Sequence, residues 1–209
     1  MEPSSIAYCG LGEVYDHLHN HDTAIQSYTK AIELEPKSHY FLLRGNNYAE
    51  LNEFEEGIFI HCGPFNELFQ AIQDYNKAIE LDLKNHHAYI RKAIVLKRQQ
   101  QYIEALENYN KGISINPSMG QSYYHRSKYY KKIGKFQESI DDLTCAINSN
   151  NTNPDYYIER ASIYQLIGDH DNVMNDFKLA EIVDTNNISV YNKRSMYLNS
   201  IGTHAMKSL

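Results

Sequence analysis

The chain has 209 residues, of which 42% are hydrophobic and 22% charged, and its formal charge is −6. This apolar fraction is too high for a disordered chain, and the acidic balance argues against a general binder of nucleic acid or of anionic membranes. Tyrosine occurs 18 times while tryptophan is absent, and this bias requires a structural explanation.

Targeting and redox signals are sparse. Residues Met1 to Tyr8 lack the basic and apolar regions of a secretory signal, and no run of about 18 apolar residues is present that could span a membrane. The three cysteines are far apart, which predicts reduced thiols in place of a disulfide framework or a zinc site. We therefore expect a soluble cytoplasmic protein, with a nuclear or ciliary location left open. The cysteines are Cys9, Cys62 and Cys145.

One pattern recurs along the chain: a large residue, a second residue three later, a small residue next to it, and another large residue three beyond. Its last four copies follow one another at intervals of 34 residues. Such a period is typical of repeat architectures. The six copies are Tyr8-Leu11-Gly12-Tyr15, Phe41-Arg44-Gly45-Tyr48, Tyr89-Lys92-Ala93-Leu96, Tyr123-Arg126-Ser127-Tyr130, Tyr157-Arg160-Ala161-Tyr164 and Tyr191-Arg194-Ser195-Leu198.

A second signature follows each of the first five copies. It combines a small residue, a large one four later and a small one three beyond, as in Ala24, Tyr28 and Ala31. Spacings of three and four put these side chains on one helical face, so each unit is predicted to be a helix–turn–helix. Small residues let two helices approach closely while rings fill the remaining space, which explains the abundance of tyrosine. The predicted turns include Gly134, Gly168 and Gly202.

The two signatures together resemble the tetratricopeptide repeat (TPR) family, whose pattern is matched by Tyr8, Leu11, Gly12, Tyr15, Ala24, Tyr28, Ala31 and Pro36. The resemblance covers about residues 5 to 209 and implies an all-α fold, a right-handed superhelix of antiparallel helix pairs. One solenoid domain, 1–209, is expected. Its repeats are placed at about 5–37, 38–85, 86–119, 120–153, 154–187 and a partial 188–209.

The second repeat is longer than the others, and the excess is placed at 57–70, around the turn signal Gly63-Pro64. Two arrangements stay open. Both helices lengthen into a protruding hairpin with an apolar patch, or the segment forms a spare turn and a loop that is tolerated at little cost. The residues of the predicted patch are Ile58, Phe59, Ile60 and Phe65.

Motifs that carry catalysis are absent from the sequence, so no enzyme activity, catalytic residue or cofactor is expected. His17, His19 and His21 straddle the first predicted turn and are interpreted as solvated, not as metal ligands, and His86-His87 is interpreted in the same way. No metal site is therefore expected.

The TPR resemblance implies that the first helix of each unit lines a concave groove. In this register an otherwise acidic chain concentrates cations in its third and fourth repeats, with Tyr124 between them as a stacking surface. Two interpretations stay open: a solvated charged face, and a seat for an acidic peptide or helix of a partner protein. The cationic candidates are Arg91, Lys97, Arg98, Lys128, Lys131 and Lys132.

The clamp with which some TPR proteins bind chaperone carboxyl termini is not matched, because only Asn46 agrees in type when the clamp is carried onto repeats two to four. The favoured function is therefore a non-catalytic protein-interaction scaffold or adaptor. The alternatives are a structural segment of a larger TPR array or complex, which self-associates through uncapped ends, and a co-chaperone that lacks the carboxylate clamp.

Overall fold

The computed structural model describes residues 3–55 and 64–207, and the side chains of residues 3–51 and 67–201. The regular structure of these ranges is entirely α-helical, which confirms the all-α prediction. The chain divides into two compact units, one ending at Asn116 and the other beginning at Pro117. Within the described residues, no helix is both long and apolar enough to cross a membrane.

The first unit consists of three helix pairs. The members of each pair pack together, and the second helix of a pair also packs against the first helix of the next pair. Short connections make the two helices of a pair antiparallel. The helices are α1 (Ser5–His17), α2 (His21–Leu34), α3 (Ser38–Glu55), α4 (Pro64–Leu81), α5 (His86–Arg98) and α6 (Tyr102–Ile115).

The second unit repeats this plan with two helix pairs and one further helix. The last helix packs against α10 through the buried Val190 and Tyr197, which join the core around Phe177. The helices are α7 (Gly120–Lys132), α8 (Phe136–Ser149), α9 (Pro154–Ile167), α10 (His170–Val183) and α11 (Ile188–Lys207).

Equivalent turns within four helix pairs contain a residue with left-handed backbone conformation. Gly134 and Gly168 adopt φ values of 77° and 79°, as expected for the residue type that tolerates this region best. His19 and Gln100 occupy the same position with φ values of 55° and 62°. The turns predicted at the two glycines are confirmed, and the same geometry is imposed where the sequence has no glycine.

The turn predicted at Gly202 is wrong, because α11 continues without interruption from Ile188 to Lys207. A glycine in a helix costs only about 1 kcal/mol relative to alanine, so it ends a helix only when a competing structure is available. Continued helical hydrogen bonding is therefore the better state.

Close contacts between a glycine and a tyrosine ring hold the first two helix pairs together. A Cβ atom added to Gly12 would lie 2.5 Å from the Tyr28 ring, and one added to Gly45 would lie 2.9 Å from the Tyr75 ring. Both tyrosines are fully buried. The glycines therefore provide the space that the rings occupy, in agreement with the steric explanation of the repeat pattern.

Buried ion pairs join the two helices in three of the helix pairs. In each ion pair an arginine of the first helix donates two hydrogen bonds, 2.7 to 2.9 Å long, to one carboxylate of the second helix. Burial raises the pKa of each of these carboxyls, and the facing arginine counteracts the shift. The sequence pattern contains these arginines but does not reveal their partners. The pairs are Arg44–Asp74, Arg126–Asp142 and Arg160–Asp176.

Two of these arginines also contact the preceding helix pair. Arg44 Nη1 donates to Thr29 Oγ1 of α2, and Arg160 Nη1 donates to Thr144 Oγ1 of α8, each over 3.0 Å. One side chain therefore joins three helices, two in its own pair and one in the pair before it.

The predicted insertion lies partly outside the described residues. The helices on either side, α3 and α4, have 18 residues each, whereas the other first and second helices of pairs have 13 or 14. Ile58, Phe59, Ile60 and Gly63 fall outside the described residues, and the Phe65 side chain is likewise not described. The two arrangements proposed for 57–70 thus remain predictions.

Candidate protein-interaction site

Four of the predicted groove residues lie on α7, and together they define what we call the α7 surface: Tyr124, Lys128, Lys131 and Lys132. The Lys128 ammonium lies over the Tyr124 ring, 4.3 Å from its centroid. Attraction between a cation and the face of an aromatic ring fixes the lysine in this position. Lys132 is exposed one helical turn further on.

The Tyr124 ring is engaged from α9 as well. Its centroid lies 5.2 Å from that of the buried Tyr156, whose hydroxyl donates to Gln121 Oε1 over 3.2 Å. The ring is therefore fixed between Lys128 and Tyr156. One face of the Tyr124 ring contacts the Lys128 ammonium. Because the Tyr124 side chain is half-buried, only part of the ring is accessible to a ligand.

Lys131 differs from its neighbours because its charge is compensated internally. Its ammonium donates to Glu159 Oε1 and to Ser162 Oγ of α9, both over 2.8 Å. Within the described residues no carboxylate pairs in this way with Lys128 or Lys132. The positive charge that the α7 surface presents to solvent therefore comes from these two lysines.

The other three candidates, Arg91, Lys97 and Arg98, lie on α5 in the first unit. Arg98 Nη1 donates to the Ala49 carbonyl of α3 over 3.4 Å. With Asn46 and Glu50, the two arginines line a small pocket between α3 and α5, which we call the α5 pocket.

The α5 pocket is of mixed charge. At its base the buried Tyr75 donates its hydroxyl to Asn46 Oδ1 over 3.1 Å. Burial lowers the pKa of Arg98, and the nearby Glu50 carboxylate counteracts this shift. The pocket thus combines guanidinium donors with a carboxylate acceptor. It belongs to a different compact unit from the α7 surface.

The prediction that the first-repeat histidines are solvated is wrong for His21. Its side chain is 5% exposed, and Nδ1 lies 2.8 Å from Asn47 Oδ1 of α3. His17 and His19 are exposed, as predicted. A polar turn in the sequence does not reveal that its last residue begins a helix and packs against a polar partner 26 positions later.

His86 also departs from the prediction of a solvated pair. It is half-buried, and its Nε2 lies 3.2 Å from Asn116 Nδ2, whereas His87 is exposed. The two rings contact each other with centroids 4.0 Å apart. Burial lowers the pKa of both imidazoles, so neither gains charge as readily as a solvated histidine.

Comparisons with known proteins agree with this architecture. Two family models described as tetratricopeptide repeat match the chain, one at residues 5–38 and the other at residues 86–119. Among curated proteins, none matches this sequence.

Solved structures share the fold at low sequence identity. The chain is similar to MamA from Desulfovibrio magneticus (TM-score 0.69, 15% identity), covering 90% of this chain and 99% of that one. It is similar to a thermophilic TPR protein from Thermus thermophilus (TM-score 0.72, 14% identity, 93% and 100% covered). YrrB, described as a TPR protein with an unusual peptide-binding site, gives a TM-score of 0.62 at 14% identity, with 92% of each chain covered. Residues 5–38 and 86–119 are therefore tetratricopeptide repeats, and the helix pairs of the chain have the fold of solved TPR proteins.

Proposed function

We propose that the chain is a non-catalytic scaffold that binds an acidic segment of a partner protein. The observation that carries this proposal is the α7 surface, where Lys128 and Lys132 carry uncompensated charge in a chain whose formal charge is −6. A TPR fold supports protein interaction in general, and these two lysines supply the chemistry for an acidic ligand.

The geometry of the α7 surface favours recognition of carboxylates. Lys128 and Lys132 are four residues apart on one helix, so their ammonium groups project from the same face. Tyr124 and Tyr156 fix Lys128 before any ligand arrives, which reduces the side-chain ordering that binding would otherwise require. A partner with two or more acidic residues can then pair with both lysines.

The α5 pocket supports a second contact on the first unit. Arg91 and Arg98 offer guanidinium donors that match carboxylate or backbone oxygens, and Glu50 accepts from a donor on the ligand. Peptide binding is a described property of YrrB, a structure with the same fold. We extend that property to this chain as part of the proposal.

Reversing both charges with Lys128→Glu and Lys132→Glu is expected to abolish binding of acidic peptides, because attraction becomes repulsion at both positions. The purified chain is first screened against a library of random displayed peptides, where we expect enrichment of Asp and Glu. Affinity of a selected peptide is then measured by fluorescence anisotropy at low and high salt.

The matched control carries Lys30→Glu and Lys77→Glu, which changes the net charge equally at exposed lysines of second helices. The control should bind the peptide as the unaltered chain does, and far-UV circular dichroism should be the same for all three proteins. Selection of peptides without acidic enrichment, or equal loss in both double variants, would contradict the proposal.

A second candidate function is self-association as a segment of a larger assembly, and exposed apolar side chains favour it. Leu11 and Val14 on α1 and Leu18 directly after its end form a stripe and are 43%, 54% and 68% exposed. On α11, Leu198 and Ile201 are 41% and 36% exposed. Exposed apolar stripes at helical spacing are typical of faces that pack against another helix.

Introducing Leu198→Glu with Ile201→Glu is expected to abolish concentration-dependent association in sedimentation-velocity experiments, since two carboxylates cannot be buried in an apolar contact. The control pair Ile103→Glu and Ile182→Glu alters more exposed apolar residues of second helices, 81% and 75% accessible, and should leave association unchanged. A monomeric unaltered chain at high concentration would rule out this second function.

We place either function in a reducing compartment such as the cytoplasm. Cys9 and Cys145 are free thiols, one buried and one exposed. Exposed free thiols are more common in proteins that are not exported to oxidising surroundings, which supports this assignment.

A further inference from the structure

Three potential metal ligands converge between the first helices of the first two pairs. Cys9 and Glu13 lie one turn apart on α1, and His39 lies near the start of α3. Glu13 Oε1 is 3.9 Å from Cys9 Sγ and 3.8 Å from His39 Nε2, and all three ligand atoms lie within 4.8 Å of one another. We call this group the Cys9–Glu13–His39 cluster.

These distances are close to those of a tetrahedral zinc site. Zinc binds thiolate sulfur at about 2.3 Å, imidazole nitrogen at about 2.0 Å and carboxylate oxygen at about 2.0–2.2 Å, which places neighbouring ligand atoms about 3.3–3.6 Å apart. His39 and Glu13 have exposed side chains, 59% and 51% accessible, so rotation of these side chains can bring the three ligand atoms to the zinc spacing. The helical spacing of Cys9 and Glu13 already holds two ligands on one face.

The chemistry of the three ligands selects among metals. One sulfur, one imidazole nitrogen and one carboxylate oxygen form a set of intermediate softness that suits Zn²⁺, whereas Mg²⁺ and Ca²⁺ require oxygen ligands alone. Three protein ligands leave a fourth position for water or for a group from another molecule. The exposure of Glu13 and His39 provides an entry path from solvent.

A second observation at the cluster is a buried polar group without a partner. Tyr28 is completely buried, and among the described residues its hydroxyl has no hydrogen-bond partner. It packs in the same core as Cys9, close enough to Cys9 and Glu13 for their charges to act on it. Buried polar groups are normally satisfied, so this hydroxyl is able to hydrogen-bond to a group that binds nearby.

The surroundings include charges of both signs. Lys37 lies near Cys9, but its ammonium pairs with Glu35 Oε2 over 2.8 Å, which offsets its repulsion of a cation. Asp16, one turn beyond Glu13, adds negative charge close to Tyr28. The charge of Lys37 near the cluster is thus balanced by Glu35, and Asp16 adds a carboxylate in the same region.

We propose that the Cys9–Glu13–His39 cluster is a zinc-binding site. Binding converts the Cys9 thiol, which now donates to Glu13, into a zinc thiolate and releases its proton to solvent. The site is independent of the peptide-binding proposal, because it uses no residue of the α7 surface or of the α5 pocket.

The test uses Co²⁺ as a spectroscopic substitute for Zn²⁺ in the 209-residue chain with Cys62→Ser and Cys145→Ser, so that Cys9 is its one remaining cysteine. We expect a thiolate-to-cobalt charge-transfer band in the near ultraviolet that saturates at one metal per chain and is displaced by Zn²⁺. Adding Cys9→Ser should remove the band.

In the same background, His39→Gln and Glu13→Gln should each weaken Co²⁺ binding at least about tenfold, by analogy with the 10- to 100-fold losses seen when even outer-shell partners are removed. His39 is exposed, so this variant reports on binding without disturbing the core. The control His17→Gln changes an exposed histidine at the end of α1 and should bind as the parent does. Absence of the band in the parent, or equal affinity in His39→Gln and the parent, would overturn the proposal.

Discussion

Replacing Asp176 with alanine is expected to lower the free energy of unfolding by about 3–5 kcal/mol, because it leaves the Arg160 guanidinium charged and unpaired inside the protein. The Asp176 side chain is 1% exposed and that of Arg160 is 14% exposed. Urea unfolding followed by far-UV circular dichroism measures the change.

Replacing both partners tests whether the loss comes from the orphaned charge. The double variant Arg160→Met with Asp176→Leu should recover most of the stability, since apolar side chains of similar size need no desolvated partner. As a surface control, Glu33→Ala removes the exposed pair with Lys30 and should change stability little. A loss in Asp176→Ala no larger than that in Glu33→Ala would show that the buried pair does not stabilise the fold.

Two glycines of α1 are expected to respond to alanine in opposite directions. A methyl group at Gly12 would lie 2.5 Å from the buried Tyr28 ring, so Gly12→Ala should destabilise the chain by about 1–3 kcal/mol through overpacking. Nothing lies within 4 Å of a methyl group at Gly10, so Gly10→Ala should stabilise the helix by about 0.5–1 kcal/mol. Thermal and urea unfolding of both variants measure the difference.

Gly10 is the matched control, since it lies in the same helix and receives the same change. Other repeats carry alanine or serine at the position of Gly12, as at Ala93, Ser127 and Ala161. Equal stabilisation by both substitutions would show that α1 and α2 can separate slightly and that the glycine is not required for their packing.

Most of the fold follows from local signals in the sequence. The alternation of small and large residues at helical spacing predicts the helix pairs, and glycines at the left-handed positions predict two of the turns. The failure at Gly202 has a physical cause, because whether a glycine ends a helix depends on what the next segment can pack against. Whether the helix ends at a glycine therefore depends on tertiary contacts, which local composition does not predict.

The candidate site was less accessible to prediction. The helical register places Lys128 and Lys132 on one face of α7, but it does not show that Lys131 pairs with Glu159 of α9, 28 residues away. The Cys9–Glu13–His39 cluster is hidden in the sequence for the same reason, since His39 comes near Cys9 and Glu13 only after α3 packs against the first helix pair. The sequence does show that Glu13 follows Cys9 by four residues. This spacing is too common in helices to indicate a site.

The arginines that hydrogen-bond to the preceding helix pair have a consequence for unfolding cooperativity. Because Arg160 contacts Asp176 of its own pair and Thr144 of the pair before it, fraying of α9–α10 must also break a contact of α8. Adjacent repeats are thereby coupled, so that local unfolding of one repeat also destabilises the repeat before it. Where the arginine is replaced by Lys92, which pairs with the more exposed Glu104, this coupling is weaker, so hydrogen exchange should distinguish strongly and weakly joined repeats along the chain.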